Sequence, residues 1–226
     1  MRLVVVGLGG IGGPTALFAA KYLSHNLHDV ARILLVDGDA FEPRNGDRQF
    51  FGTEGPKAIV KAAELSEMFP GISFRPITRY VTRENITGII EEGDIVLLCV
   101  DNHHTRRVVS DSCGTLNDVT LISGGNELTD GNVQVYIRRE GRDATSSLTK
   151  WHPEIQNAKE VVFTGQGCEL AAREGGEQIV ITNLAIAAHM LMALYSILST
   201  GTVPYEETYI DVMSGAAQPV DRNPIP

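Results

Sequence analysis

Cysteine is scarce in this chain: three residues in 226, at Cys99, Cys113 and Cys168, with no Cys-x-x-Cys pair. That spacing excludes a local four-thiolate zinc site and provides no disulfide framework, so a reducing, cytoplasmic setting is expected. Basic residues are also outnumbered, 19 Lys and Arg against 28 Asp and Glu, for a net charge of −9. A surface of that sign argues against nonspecific nucleic-acid binding, which depends on neutralising phosphates, but leaves room for a local cationic pocket. Internal repeats and low-complexity tracts are missing, and with an apolar strand beginning at Leu3 no signal peptide is expected. Only Ile179 to Leu198 approaches the length of a membrane span. Asn183, His189 and Ser196 interrupt it and no aromatic belts flank it. It reads as a helix buried in the core or in a subunit interface, and no membrane partner is expected.

What the chain does have begins at its first strand. Leu3-Val4-Val5-Val6 breaks into Gly7-Leu8-Gly9-Gly10-Ile11-Gly12-Gly13, and an apolar-periodic stretch runs from Pro14 to Leu23. Strand, tight turn and helix in that order read as a phosphate loop, in which helix-terminal amides without intrahelical partners meet an anion, the alternative being an ordinary glycine-rich turn. A second buried strand, Arg32 to Asp37, ends in an acid. In nucleotide-binding βαβ units a carboxylate at this place takes hydrogen bonds from the ribose hydroxyls, the alternative being a cap or turn aspartate. Asp39, two residues on, reads as a turn former.

Residues 41 to 51 depart from a plain dinucleotide-binding pattern, with Arg44, Asn45, Arg48 and paired phenylalanines in a loop bounded by turn residues. Pro56-Lys57 then opens a helix to about Met68. A cation at a helix start is electrostatically misplaced unless an anion compensates it, which singles out Lys57. A strand at 72–77 and a short helix at 85–91 lead to the strongest buried strand, Asp94 to Asp101, followed by Asn102-His103-His104 and a helix from Thr105 to about Leu116. Asp37 and Asp101, both at strand carboxyl ends, should face the crevice that holds the glycine turn.

Further on, 121–126 and 134–138 read as an antiparallel pair, 140–177 as a crossover loop with little regular structure, 178–198 as the long helix and 208–213 as a strand. The fold class is α/β: a Rossmann-like, mostly parallel sheet with helices on both faces and antiparallel strands added in the C-terminal half. Residues 1–213 are expected to form one domain and 214–226 a mobile tail.

A crevice offering phosphate-directed amides, a ribose acid, Arg48, Lys57 and an opposed Asp101 carries more positive charge than hydride transfer needs. Joining a carboxylate to the α-phosphate of ATP needs it, because two anions must meet and pyrophosphate must leave. Asp101 suits magnesium, which takes one or two carboxylates with phosphate oxygens and water.

Gly7-Leu8-Gly9-Gly10-Ile11-Gly12, Asp37-Gly38-Asp39, Asn45 with Arg48-Gln49, Pro56-Lys57 and Asp101-Asn102, in that order, resemble the ThiF/MoeB/HesA superfamily. This superfamily includes the adenylation domains of ubiquitin-activating enzymes. The resemblance implies adenylation, with ATP and Mg2+, of the C-terminal glycine of a ubiquitin-like or sulfur-carrier protein. It implies that Gly7, Gly9 and Gly10 lie at the phosphates, that Asp37 binds ribose and that Asn45, Arg48 and Lys57 stabilise the reacting triphosphate. Asp101 would hold magnesium with Asn102 beside it, and Gln49 would help shape the pocket.

Departures from the family pattern are informative. The zinc-binding Cys-x-x-Cys pairs of many relatives are missing, so no zinc is expected, and so is the leading helix that donates an arginine to a partner subunit. Cys168 lies where thioester- or persulfide-forming relatives carry their cysteine, with no histidine within a few residues, and is weighed as a nucleophile against an idle loop cysteine. Cys99 and Cys113 read as packing residues. The family's two-fold arrangement, with the apolar helix around Ala185 to Leu194, implies a homodimer. A nicotinamide-dependent oxidoreductase and a non-catalytic scaffold for a ubiquitin-like protein are the competing readings.

Overall fold

The computed structural model describes residues 2–26, 32–160 and 178–222. Its elements run β1 (Leu3–Val6), α1 (Gly12–Asn26), β2 (Arg32–Val36), β3 (Ala40–Phe41), β4 (Gly55–Pro56), α2 (Lys57–Met68), β5 (Ser73–Ile77) and β6 (Ile95–Leu98). There follow α3 (His103–Cys113), β7 (Val119–Asn126), β8 (Asp130–Arg139), β9 (Arg142–Asp143), α4 (Pro153–Gln156), α5 (Val180–Thr200), β10 (Glu207–Asp211) and β11 (Ala216–Val220).

Among the described residues one nine-stranded sheet carries the fold in the order β11-β10-β8-β7-β6-β1-β2-β5, with β9 paired to β8. From β5 through β2, β1 and β6 to β7 the strands are parallel, and β8, β10 and β11 are added antiparallel. Strand β1 sits between β2 and β6, with Val6 opposite Val36 on one side and Leu98 on the other. The chain crosses one way to reach β2 and the other way to reach β6. That reversal makes the carboxyl ends of β1 and β6 the switch point where open α/β sheets take ligands.

Parallel strands covered on both faces read as unbroken apolar runs, and their alternate residues divide between two cores. Leu3, Val5, Ile33, Leu35, Ile95 and Leu97 join α1, α2 and α5 on one face. Val4, Val6, Leu34, Val36, Val96 and Leu98 join Val108, Val109 and Cys113 of α3 on the other. Helix α5 is long and apolar enough to cross a membrane by composition, yet Ile186, Met190, Leu194 and Ile197 bury one side of it in the first core.

Several segments differ from the sequence expectation. Helix α3 starts earlier than Thr105 because the Asn102 side chain accepts a 2.8 Å hydrogen bond from the Thr105 amide and caps it. The expected helix at 85–91 is only a 3-10 turn, Ile86–Gly88. The stretch read as an unstructured crossover holds β9 and α4 before residue 161, and α4 opens on Pro153, a favoured first helical residue. Residues 216–220, read as part of a tail, instead form strand β11 along β10, from Glu207 opposite Val220 to Asp211 opposite Ala216. Its sequence, Ala-Ala-Gln-Pro-Val, carries no apolar alternation because its side chains are largely exposed and its pairing is made by the main chain. Proline occupies both edge strands, Pro76 in β5 and Pro219 in β11. At an edge the missing donor costs little and discourages pairing with another chain.

Candidate functional site

A cavity of about 350 Å³ opens at the switch point, lined by Gly7, Gly9, Gly10, Asp37, Asp39, Arg48, Gln49, Lys57, Tyr80, Asp101, Asn102 and Asn126 among others. The glycine turn forms one wall. Gly7 adopts φ +85, and a Cβ there would lie 2.9 Å from the Cys99 carbonyl oxygen, so the chain can pass between β1 and β6 only without a side chain. The turn feeds into α1, where Pro14 has no N–H and the Gly13 and Thr15 amides already donate to the Gly9 and Ile11 carbonyls at 3.0 and 3.1 Å, so the cavity-lining stretch Gly9-Gly10-Ile11 is the part of the turn that would meet an anion.

Asp37 lies just beyond β2 and is 9% exposed. Its Oδ2 accepts from the Leu8 amide at 2.6 Å and its Oδ1 from the Asp39 amide at 2.8 Å. A carboxylate has about four lone-pair positions, so acceptor capacity remains for hydroxyls in the cavity. Burial pushes its pKa up, Lys57 opposes that shift and Asp39 adds to it. Asp37 lines the cavity, and its side chain also fastens the glycine turn.

Lys57 is the first residue of α2 and is buried. The anion that offsets its placement is Asp39, with Nζ 3.4 Å from Oδ2, and the Lys57 amide donates to the Asp39 carbonyl at 2.9 Å. Asp39 is therefore more than a turn former: it also accepts a hydrogen bond from the Tyr80 hydroxyl. Antiparallel pairing of β3 with β4 brings these groups together by closing the two ends of the intervening loop, Ala40 opposite Pro56. That loop carries Arg48, part-exposed and 3.3 Å from Asp47, to the cavity wall. Asn45 is not among the lining residues; its carbonyl accepts from the Arg48 and Gln49 amides and shapes the loop.

Across the cavity, Asp101 follows β6 and is exposed, while Asn102 is buried as the cap of α3. Beneath them is Arg106, fully buried, its guanidinium donating to Ser123 Oγ at 2.7 Å, to the Val100 carbonyl at 2.6 Å and to the Gly124 carbonyl at 2.8 Å. Burial draws its pKa below the usual value, and Asp101 and Cys99 oppose that shift. Arg106 thus ties the end of β6 to the end of β7 under the proposed magnesium acid.

Three carboxamides, buried at Gln49 and Asn183 and half-buried at Asn126, also converge near the glycine turn. Asn126 donates to Asn183 Oδ1 at 3.0 Å, and Asn183 Nδ2 lies 2.1 Å from where a Gly10 Cβ would be. Gln49 Oε1, Asn126 Oδ1 and Asn183 Nδ2 have no hydrogen-bond partner among the described residues, a costly state for buried polar atoms and one that a polar ligand would relieve. Asn183, which reads only as an interruption of the apolar stretch, and Asn126, Tyr80 and Arg106 are not singled out as site residues by the sequence. Tyr80 and Asn126 follow or end strands β5 and β7, so the strand-end rule could have found them. Asn183 carries no local signal.

Cys99 lines the cavity, but burial pushes its thiol up to about 12, as it does that of Cys113; both stay protonated and act as packing groups. Cys168 lies outside the described residues. His103 and His104 fall in the first turn of α3 and do not line the cavity. No group of three or more His, Cys, Asp or Glu capable of holding a metal is found among the described residues. Magnesium nonetheless fits Asp101, because beside a triphosphate that ion needs only one or two protein carboxylates.

Comparison with known proteins follows the same lines. A model described as the ThiF family matches residues 1–217. The adenylyltransferase and sulfurtransferase MOCS3 of Danio rerio is 34% identical over 145 residues, covering 62% of this chain and 30% of that protein. The sulfur carrier protein ThiS adenylyltransferase of Escherichia coli K12 is 32% identical over 120 residues, covering 51% of this chain and 45% of that protein. The chain thus spans less than half the length of these curated relatives. Among solved structures, E. coli MccB with ATP superposes with a TM-score of 0.73 at 18% identity, covering 99% of this chain and 65% of that one. MccB with MccA-N7isoASN gives a TM-score of 0.75 at the same identity, over 99% and 66%. At that identity the likeness establishes the fold, a Rossmann-like sheet flanked by helices.

Proposed function

Because this chain belongs to the ThiF family, we propose that it adenylates the C-terminal glycine carboxylate of a ubiquitin-like or sulfur-carrier protein with ATP, releasing pyrophosphate. The observation that carries this reading is the meeting in one cavity of the glycine turn, Asp37, Arg48, Lys57 and Asp101. The named relatives, an adenylyltransferase of ThiS and the MOCS3 adenylyltransferase, support the reaction class.

In this reaction a carboxylate oxygen of the carrier forms a bond to the α-phosphorus, and the bond from that phosphorus to the β-phosphate oxygen breaks. Glycine-turn amides receive the phosphates, and Asp37 receives the ribose hydroxyls. Lys57 and Arg48 offset the charge of the two converging anions and of the departing pyrophosphate, in a partly enclosed site where such contacts exceed their value in water. Magnesium, when held by Asp101 and phosphate oxygens, would supply further neutralisation of the leaving group. No proton transfer is required, since the attacking group is already a carboxylate, and this suits a cavity whose lining thiol at Cys99 stays protonated.

A homodimer is part of the proposal. Ile181, Leu184, Met192 and Tyr195 leave an apolar stripe exposed on α5, and Phe18 of α1 is exposed as well. The Tyr22 and Tyr195 rings meet edge to face at 5.9 Å and link the two helices. A second copy covering this face would bury it.

The direct test is ATP–pyrophosphate exchange with a purified carrier ending in Gly-Gly. Exchange that depends on the carrier and is abolished by Asp101→Ala, with the circular dichroism spectrum unchanged, is the expected result. Exchange retained by Asp101→Ala would remove that residue's metal role. Tight binding of NADH with no exchange would replace the whole reading.

A further inference from the structure

The segment after β5 contributes Arg79, Tyr80 and Val81 to the cavity wall, and nothing in the proposed reaction yet uses them. Tyr80 makes two contacts with the loop that follows β2. Its ring lies against Gly38, so closely that a Cβ on Gly38 would fall 2.7 Å from Cγ and 2.8 Å from both Cδ atoms. Its hydroxyl donates to Oδ1 of Asp39, whose other oxygen, Oδ2, faces Lys57 Nζ at 3.4 Å.

The length of that second contact matters. A charge-assisted N–H to carboxylate bond closes to about 2.7–2.9 Å when both partners are free to optimise it. Here the ammonium is buried on a helix start, its counter-ion is within reach, and the pair remains half an ångström or more longer. Asp39 is held from the other side: Tyr80 occupies one oxygen, and the Tyr80 ring over Gly38 restricts the turn that carries the carboxylate.

We propose that Tyr80 is a positioning residue that keeps the resting Lys57–Asp39 ion pair loose, so that Lys57 passes to the incoming triphosphate at little cost. The inference rests on the adenylation reading, since it assigns Lys57 to ATP. Without the Tyr80 hydroxyl, Asp39 turns more of its charge toward Lys57, the pair tightens, and the ligand-free protein is stabilised relative to the nucleotide complex. The rate of the step that follows binding is untouched, because the pair is already broken by then. The signature is therefore weaker ATP binding and a raised KM for ATP at constant kcat.

Tyr80→Phe keeps the ring over Gly38 and removes only the hydroxyl. By calorimetric titration with a non-hydrolysable ATP analogue, Tyr80→Phe should bind about five- to tenfold more weakly than wild type, within the range of coupling between directly contacting groups. Asp39→Asn removes the charge that Tyr80 regulates, so adding Tyr80→Phe to it should have no further effect on binding. A ring that only packs would make Tyr80→Phe silent, and a hydroxyl that acts on nucleotide directly would keep its effect in the Asp39→Asn background; either result overturns the inference alone. Wild-type protein that bound no ATP analogue would overturn the adenylation reading, and this inference with it.

Discussion

The Leu8 amide and the Asp37 carboxylate, 29 residues apart in sequence, are joined by a buried 2.6 Å hydrogen bond. The acid expected to receive ribose hydroxyls thus also fixes the turn expected to receive phosphates. Asp37→Ala should therefore weaken ATP binding by tenfold or more and also cost about 2 kcal/mol of stability, the usual scale for a hydrogen bond to a charged acceptor. Urea denaturation beside calorimetric titration separates the two effects. A variant with full stability and lost binding would mean that Asp37 meets only the ligand.

Lys57→Met retains much of the side-chain volume and removes the charge. It should lower kcat/KM for pyrophosphate exchange by about a hundredfold, the scale of losing one preorganised charge-stabilising group. Arg48, part-exposed on its loop, should show a smaller loss on conversion to Ala. Steady-state exchange rates for the two variants check the order.

A pH dependence follows from the cluster that fastens α4 to β10. His152 Nε2 lies 3.0 Å from Glu207 Oε1 and its Nδ1 lies 2.6 Å from Glu154. The hydrogen bond to Glu207 raises the His152 pKa above its ordinary 6.5 despite burial. Burial alone would raise Glu207, but hydrogen bonds from His152, Asn132 and Arg222 hold it at about 2, against 4.5 ordinarily. The histidine contribution to stability is full below 6.5 and is lost as pH rises through the higher folded value. That of Glu207 is full above 4.5 and is lost as pH falls toward 2. Urea midpoints measured across this range should peak between those limits, and Glu207→Gln should flatten the profile on both sides. A wild-type profile that is already flat would show that the cluster does not couple to folding.

Charge placed on the apolar stripe tests assembly. Met192→Lys, at a site 58% exposed, should leave the monomer folded and shift the mass measured by light scattering from dimer to monomer. No change in mass would place the dimer contact elsewhere or remove it.

Much of the framework was legible because buried parallel strands leave continuous apolar runs, and because a positive-φ turn such as Gly7 selects glycine. Lys57 and Asp101 could be grouped before their positions were known because strand ends and helix starts obey local rules, and Arg48 because a cation stands out in a loop bounded by turn residues. Asp39 reads in the sequence only as a turn former and Tyr80 does not stand out, because their contact spans 41 residues and arises only when β5 lies beside β2. Asn183 escaped for a similar reason, as a polar residue on an apolar helix whose neighbours come from the glycine turn and β7. Strand β11 left no mark because its partner supplies only main-chain bonds and its side chains face water.

The short β3–β4 pairing closes residues 42–54 at their base and leaves Asp39 and Lys57 outside the enclosed segment. A loop whose two ends are already stitched together can change in length at small entropic cost without transmitting the change to its flanks. Selection could therefore vary much of that stretch, Arg48 apart, while Asp39 and Lys57 at its flanks stay in register.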